Sequence, residues 1–291
     1  MFEQPRVRSF AVLAAVAVFA VGLMVALSNY PDLPSRVAPS VWLLVVACVP
    51  LTIFANASQF WLTARFVDAP VTLSRAMLIT ILSTAANMLP LPGGSLVRIA
   101  ALKGMTNTYR QATAATILIA GCWLGVTMTL AGLALLLIGF VYAGMLVLPV
   151  GVGALSLSSY MILRGFLSAP AELVGLAVIQ VIAVCVGALR IWLCFLALGE
   201  SISYPHAMVF TLSTVTAAVI GVAPAGLGVT ELLAAGIATG LGVAGAFGFL
   251  AAALNRLSGL LVIGPVALIL HWLDVHRSAR PAVSPVETSK E

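Results

Sequence analysis

The sequence predicts an all-α polytopic membrane bundle of about six spanning helices plus two re-entrant, Pro-Gly-broken helical hairpins arranged as an inverted repeat. Three observations carry that prediction. The chain is 62% hydrophobic and only 8% charged, with a mean hydropathy of +1.16, far from the roughly 25% charged residues of soluble domains. Its apolar runs are long and show no alternation, and a chain surrounded by lipid must satisfy its backbone polar groups internally, so helices are favoured over a barrel. Finally, two apolar stretches carry Pro-Gly breaks that belong to one repeated pattern. Thr84-Ala85-Ala86, Pro92, Gly94 and Val97 recur 132 positions later as Thr216-Ala217-Ala218, Pro224, Gly226 and Val229. With one residue inserted, Trp61-Leu62 matches Trp192-Leu193, and Ala76, Met77 and Thr80 match Ala207, Met208 and Thr211. A duplicated unit with a broken helix in each copy points to a transporter-like site at the repeat interface.

In chain order, the first span is expected at 10–28. Arg6 and Arg8 precede it, and Ala26-Leu27-Ser28 loosely resembles a cleavage site. The apolar run is longer than the roughly 7 to 15 residues of a signal-peptide core, so it reads as an uncleaved helix. Further spans are expected at 41–63, 112–140, 144–163, 171–198 and 246–271, each long enough for about 30 Å of hydrocarbon. The third and fourth are joined by a tight uncharged turn near Tyr142-Ala143-Gly144. The broken segments lie at 76–103 and 207–243. Residues 1–274 thus form one transmembrane domain, with repeats at about 41–110 and 171–243. Residues 275–291, with Pro281, Pro285 and several charges, read as a disordered cytoplasmic tail.

Charge decides how the broken segments sit. If both return to the face they entered, the cytoplasmic side holds Arg6, Arg8, Arg65, Arg75, Lys103, Arg110, Arg164, Arg277, Arg280 and Lys290, and the outer side only Arg36. If both cross, Lys103, Arg110 and Arg164 move outside and weaken the Lys/Arg asymmetry that sets orientation. Re-entrant hairpins follow, with both termini cytoplasmic, in the inner membrane of a bacterium. The copies are then inverted, and their Pro-Gly tips approach near the midplane, where non-helical backbone is tolerated only if buried in protein or lining a wet cavity.

The net charge of +5 comes from basic residues scattered between spans, a pattern that argues against nucleic acid and for anionic lipid headgroups. Cys48, Cys122, Cys185 and Cys194 lie in apolar spans without a Cys-x-x-Cys pair, so they read as small packing residues rather than a disulfide framework or zinc site. His206, His271 and His276 are isolated, and no Gly-x-x-x-x-Gly-Lys-Ser/Thr run occurs. No metal, cofactor or nucleotide-driven motor is expected, and no catalytic residue is assigned.

Four charges fall inside the bilayer: Arg98, Arg190, Glu231 and Arg256. Each costs roughly 2.5 to 3.5 kcal/mol on insertion scales and therefore needs a reason. Arg98 follows the first break, where free N–H groups already favour an anion, so it can cradle a phosphate headgroup or pair with Glu231. Glu231 follows Gly228 by three residues. It can cap its half-helix, or act as a proton-titrating switch, since a carboxylate drawn out of water favours its protonated form. Arg256 lies about ten residues into the last span, too deep to reach water easily, and is assigned to a headgroup or to Glu231. Arg190 is a weaker headgroup candidate because snorkelling to the outer face also explains it. Asn87, just before the first break, can serve freed backbone carbonyls or a headgroup. Pro90, Pro92, Gly93, Gly94, Pro224, Gly226 and Gly228 shape the breaks. Gly121 and Gly125 read as helix-packing contacts.

Around the second break, Pro224-Ala225-Gly226-Leu227-Gly228-Val229-Thr230-Glu231 resembles the Pro-Gly-Gly-x-Gly-x-x-Glu element of the flippase-like transmembrane region of lysylphosphatidylglycerol synthases and its stand-alone relatives. Leu254-Asn255-Arg256-Leu257 is similar to that family's Arg-Leu on the last helix, and Asn87-Met88-Leu89-Pro90-Leu91-Pro92-Gly93-Gly94 with Arg98 is similar to its first break. Ala225 replaces a Gly, and the Gly-Glu pair often found at the first break is missing. No role for that carboxylate carries over.

The resemblance covers roughly 40–272 and implies handling of a membrane lipid or lipid-linked sugar. The partners expected are anionic phospholipid or polyprenyl-phosphate-linked species, together with a lipid-modifying enzyme if the chain acts as a subunit. A translocator is the leading expectation. A membrane-embedded lipid-modifying synthase component, or the non-catalytic partner of one, is the alternative.

Overall fold

The computed structural model describes residues 5–32, 37–69, 71–87, 93–105, 108–166, 170–220 and 226–278. Among these residues there are ten helices and no strand: α1 (Pro5–Asn29), α2 (Pro39–Phe66), α3 (Leu73–Ala86), α4 (Gly93–Lys103), α5 (Tyr109–Leu137), α6 (Val141–Gly165), α7 (Pro170–Ala197), α8 (Tyr204–Ile220), α9 (Val229–Gly240) and α10 (Gly245–Ser278). Five of them, α2, α5, α6, α7 and α10, are long and apolar enough to cross a membrane. The expected first span falls within α1, a helix of 25 residues. The chain is a helical bundle with the build of a multi-pass membrane protein.

Local chemistry sets several of the ends. Pro39 opens α2, where its missing N–H costs nothing. Thr72 caps α3 by accepting from the Arg75 N–H at 3.4 Å. The turn between α5 and α6 falls at 138–140 rather than at Tyr142-Ala143-Gly144, which lie in the first turn of α6. Gly139 is the cause: it takes φ +90°, and the Phe140 N–H reaches back to the Leu135 carbonyl at 2.9 Å, closing α5 three residues earlier than expected. At the other end of the chain, α10 continues through Ser278, beyond the expected start of the tail at 275. Residues 279–291 lie outside those described.

Each broken segment consists of two short helices. α3 and α4 have 14 and 11 residues, α8 and α9 have 17 and 12. At 1.5 Å per residue, none exceeds about 26 Å, which is short of a full crossing. In the first segment, Gly94 contacts Asn87 and Arg98 contacts Ser83, so residues at equal distances from the point between 90 and 91 face each other and α4 doubles back along α3. In the second, Ala207 and Phe210 of α8 share a buried cluster with Ala234 and Ala238 of α9. Pro90, Pro92 and Pro224 lie outside the described residues.

The long helices α2 and α7 form the central seam, and they run antiparallel. The Ala38 N–H donates to the Ala197 carbonyl at 2.9 Å, Arg190 Nη1 to Thr52 Oγ1 at 3.4 Å, and a Cβ at Gly175 would lie 3.8 Å from Leu62 Cδ1. The start of one helix therefore meets the end of the other. Buried Phe60 and Ala64 near the end of α2 pack with Ala76 and Ile79 of α3, Leu102 of α4 and Ala112 of α5. Buried Leu193 and Phe195 near the end of α7 pack with Ala207, Phe210, Ala234 and Phe247. Because the seam is antiparallel, the two broken segments are rooted at opposite ends of the bundle.

The remaining contacts tie these parts together. α3 packs on α10 and α8 packs on α5, so each segment leans on the last long helix of the other half. α5 and α6 approach closely at Gly125, where a Cβ would stand 2.5 Å from the Leu155 nitrogen, and at Gly121, where it would collide with the Ser158 hydroxyl, as expected of helix-packing glycines. α1 lies antiparallel to α10, with the Phe19 ring tilted against Phe249 at 5.8 Å and Tyr30 against Phe247 at 5.1 Å.

Charge divides the two ends. Arg65, Arg75, Lys103, Arg110 and Arg164 gather at the end where α3 begins, with Asp68 and Glu172, whereas the opposite end holds Asp32 and Glu200. Three of the cations lie over aromatic rings: Arg65 over Trp61 at 4.1 Å, Lys103 over Tyr109 at 4.5 Å and Arg164 over Tyr160 at 4.8 Å. Such pairs of amphipathic rings and snorkelling cations suit a membrane–water boundary.

Candidate functional site

Glu231 occupies the first turn of α9. Its entry is possible because Gly226 and Gly228 take φ +67° and +76°, a region that L side chains adopt only at a cost. The Gly228 N–H then donates to Glu231 Oε2 at 2.7 Å, which satisfies one of the free donors of the helix start. Glu231 Oε1 accepts from Arg256 Nε at 2.6 Å. The carboxylate is 0% exposed and the guanidinium 18%. Arg256 lies about 17 Å along α10 from Gly245, close to half the hydrocarbon thickness. The cap expected of Glu231 and the Glu231 contact expected of Arg256 are thus present at once, one on each oxygen.

Arg190 points inward, not to the outer face, so snorkelling does not account for it. Its Nη2 donates to the Asn255 carbonyl at 2.9 Å and to Ser258 Oγ at 3.0 Å, and its Nη1 reaches Thr52, midway along α2. The antiparallel seam explains the direction: α10 and the middle of α2 offer oxygen atoms within reach, and the residue is only 8% exposed. All three acceptors are neutral. Arg190 Nε and Asn255 Oδ1 are both buried without a hydrogen-bond partner.

Arg98 does not pair with Glu231. It donates from Nε to Ser83 Oγ at 3.4 Å, bracing α4 against α3, and Ser83 Oγ in turn donates to the Thr80 carbonyl at 2.9 Å. The helices that meet determine this outcome, since α9 packs along α10 whereas α4 packs on α3 and α5. Asn87 serves a freed N–H rather than a carbonyl: its Oδ1 accepts from the Gly94 N–H at 2.8 Å, the bond of an N-terminal cap. Gly93 and Gly94 allow this closeness, because a Cβ at Gly94 would collide with the Asn87 amide and one at Gly93 with the Ala86 carbonyl.

Three of the four expected intramembrane charges therefore meet on one stretch of α10, residues 255–258, while Arg98 stays within its own broken segment. Sequence reasoning passed over the neutral partners Thr52, Ser83 and Ser258, as well as two buried donors near the first segment, Gln59 Nε2 and Thr80 Oγ1, that have no hydrogen-bond partner. A signal for Gln59 was present. It stands two positions before Trp61-Leu62, as Arg190 stands two before Trp192-Leu193.

Beside this level, an apolar cavity of about 120 Å³ lies between α1, the end of α7 and α10. Leu254 and Leu257 of α10 line it, flanking Asn255 and Arg256. Among the described residues no three His, Cys, Asp or Glu side chains gather as metal ligands. The described side chains that carry charge away from both ends are Arg98, Arg190 and Arg256 against Glu231, an excess of positive charge in a low-dielectric region. Set beside known proteins, the chain matches no family model and no curated protein.

Proposed function

We propose that this protein is a translocator of a membrane lipid or lipid-linked sugar, and that it holds an anionic headgroup between two opposed re-entrant hairpins while the lipid tails stay in the bilayer. The observation that carries this reading is the charge imbalance. Among the described residues, three guanidinium groups share the interior with one carboxylate, and Arg190 is held by neutral acceptors. Cations buried this way are costly unless an anion joins them, and a phosphate matches the planar guanidinium fork.

The inverted repeat belongs to the same proposal, with α2 to α5 as one copy and α7 to α10 as the other. The antiparallel α2–α7 seam and the reciprocal packing of α3 on α10 and α8 on α5 support it, as does the mirrored contact pattern about the point between 90 and 91. Two such units can rock about the seam and open the headgroup site to either face. The end rich in Lys and Arg is then cytoplasmic, as expected for a bacterial inner membrane. The resemblance of the two breaks and of Leu254-Asn255-Arg256-Leu257 to the flippase-like region of lysylphosphatidylglycerol synthases accords with this role.

Reconstitution tests it. Purified protein in phosphatidylcholine vesicles doped with fluorescent phosphatidylglycerol is expected to speed movement of the label between leaflets, and Arg256→Ala to abolish the gain. Equal rates for the native protein and Arg256→Ala overturn the proposal.

A further inference from the structure

We infer that binding of the anionic headgroup at Arg256 is coupled to uptake of one proton by Glu231, so that the protein carries the anion and the proton together. This inference rests on the headgroup reading above and adds the partner ion. In the observed state both carboxylate oxygens are engaged, Oε1 by Arg256 and Oε2 by the Gly228 N–H, and the side chain has no exposure to solvent. A phosphate that takes the guanidinium through Nε displaces Oε1. Glu231 would then be an ion stripped of its counter-charge in an apolar interior, a state far costlier than the neutral acid. A proton on Oε1 removes that cost, while Oε2 keeps its bond to Gly228. The balance is simple: one O–H bond forms at Glu231 and one negative charge arrives with the phosphodiester.

No other described titratable side chain is placed to take over that role. On α10 the next titratable side chain toward the interior end is absent among the described residues, since Asn255 and Ser258 are neutral. α8, packed against α9, carries Tyr204 and His206 at its start, where the His206 ring meets Ser203 Oγ at 2.7 Å and the Tyr204 hydroxyl donates to the Cys185 carbonyl at 2.8 Å. The described side chains of α1 contribute no titratable group. From α7, behind Asn255, come Arg190, a permanent cation, and the thiols Cys185 and Cys194, both within apolar clusters. Among the described residues, Glu231 is the one carboxylate at the level of Arg256.

The net effect on charge makes the coupling useful. An anion entering with a proton adds no charge to the interior, so the loaded carrier can reorient without moving extra charge against the membrane field. Entry of the anion alone would leave two negative groups competing for Arg256.

The test uses full-length protein in detergent, with dioctanoyl phosphatidylglycerol as the probe because its phosphodiester does not titrate near neutral pH. Calorimetric titrations in two buffers of different ionisation enthalpy count protons exchanged on binding. The expected result is about one proton taken up per lipid, with affinity rising about tenfold per unit fall in pH where Glu231 is ionised in the free protein. Glu231→Gln is expected to bind with no proton uptake and a flat pH profile. Binding by the native protein without proton uptake, or uptake retained in Glu231→Gln, overturns the coupling. If Glu231→Gln does not fold, the native proton count decides alone.

Failure of the coupling and of the parent reading are separable. Native binding that is lost in Arg256→Ala but takes up no proton overturns only the coupling. Equal binding by native protein and Arg256→Ala, or no binding by either, overturns both.

Discussion

Arg256 Nε and Glu231 Oε1 stand 2.6 Å apart with the carboxylate fully enclosed, which makes this ion pair the link between α9 and the long helix α10. Removing one partner leaves the other charge stranded. Glu231→Ala is expected to lower stability by about 3 to 5 kcal/mol, whereas the double change Glu231→Ala with Arg256→Ala is expected to recover much of the loss. Thermal unfolding in detergent, followed by the monodisperse fraction, measures both. A double variant no more stable than Glu231→Ala would contradict the pairing.

Arg190 makes the opposite prediction. It is buried against neutral groups, with its Nε lacking a partner, so its place in the fold reflects use rather than stability. Arg190→Met keeps the volume and removes the charge, and is expected to leave stability unchanged or raise it by about 1 to 4 kcal/mol. Binding of dioctanoyl phosphatidylglycerol is expected to weaken roughly 10- to 100-fold, the equivalent of a charged hydrogen bond of about 1.5 to 3 kcal/mol. Unchanged affinity would remove Arg190 from the headgroup site.

At the first break, the Asn87 cap on Gly94 is a matter of one acceptor oxygen. Asn87→Ala is expected to cost about 0.5 to 2 kcal/mol, while Asn87→Asp keeps the acceptor and most of the stability. The same thermal assay separates them. Equal loss in both variants would show that the amide nitrogen, not the oxygen, matters.

The arrangement of the broken segments can be checked by labelling. In a background with the four cysteines changed to Ala, Lys103→Cys is expected to react with a membrane-impermeant thiol reagent only from the cytoplasmic side, and Glu200→Cys only from outside. Labelling of Lys103→Cys from outside would mean that the first segment crosses the membrane.

Much of this architecture is legible in the sequence because lipid imposes few options. Long apolar runs mark the spans, and the recurring Pro-Gly pattern marks the broken segments. Local geometry was less legible: the α5–α6 turn depends on Gly139 taking φ +90°, and three small or aromatic residues nearby offer a competing turn at Tyr142-Ala143-Gly144. The site was legible as a set of charged residues but not as pairings. Glu231 chooses Arg256 over Arg98 because α9 lies along α10, a relation that no spacing in the chain encodes. Arg190 points inward because Thr52, Ser258 and the Asn255 carbonyl await it, and main-chain acceptors leave no mark on side-chain identity.

The seam of α2 against α7 joins two antiparallel helices that share Trp61-Leu62 and Trp192-Leu193 at corresponding positions but differ at most others. On the proposed translocator reading, such a seam meets the two leaflets with different surfaces, and a resting preference for one leaflet comes from the positions where the two helices differ. Gln59 and Arg190 are one such pair of differing positions, an amide on one side and a cation on the other. Exchanging the two residues should therefore shift which leaflet the empty carrier faces, while leaving the direction of net flow to the gradients that drive it.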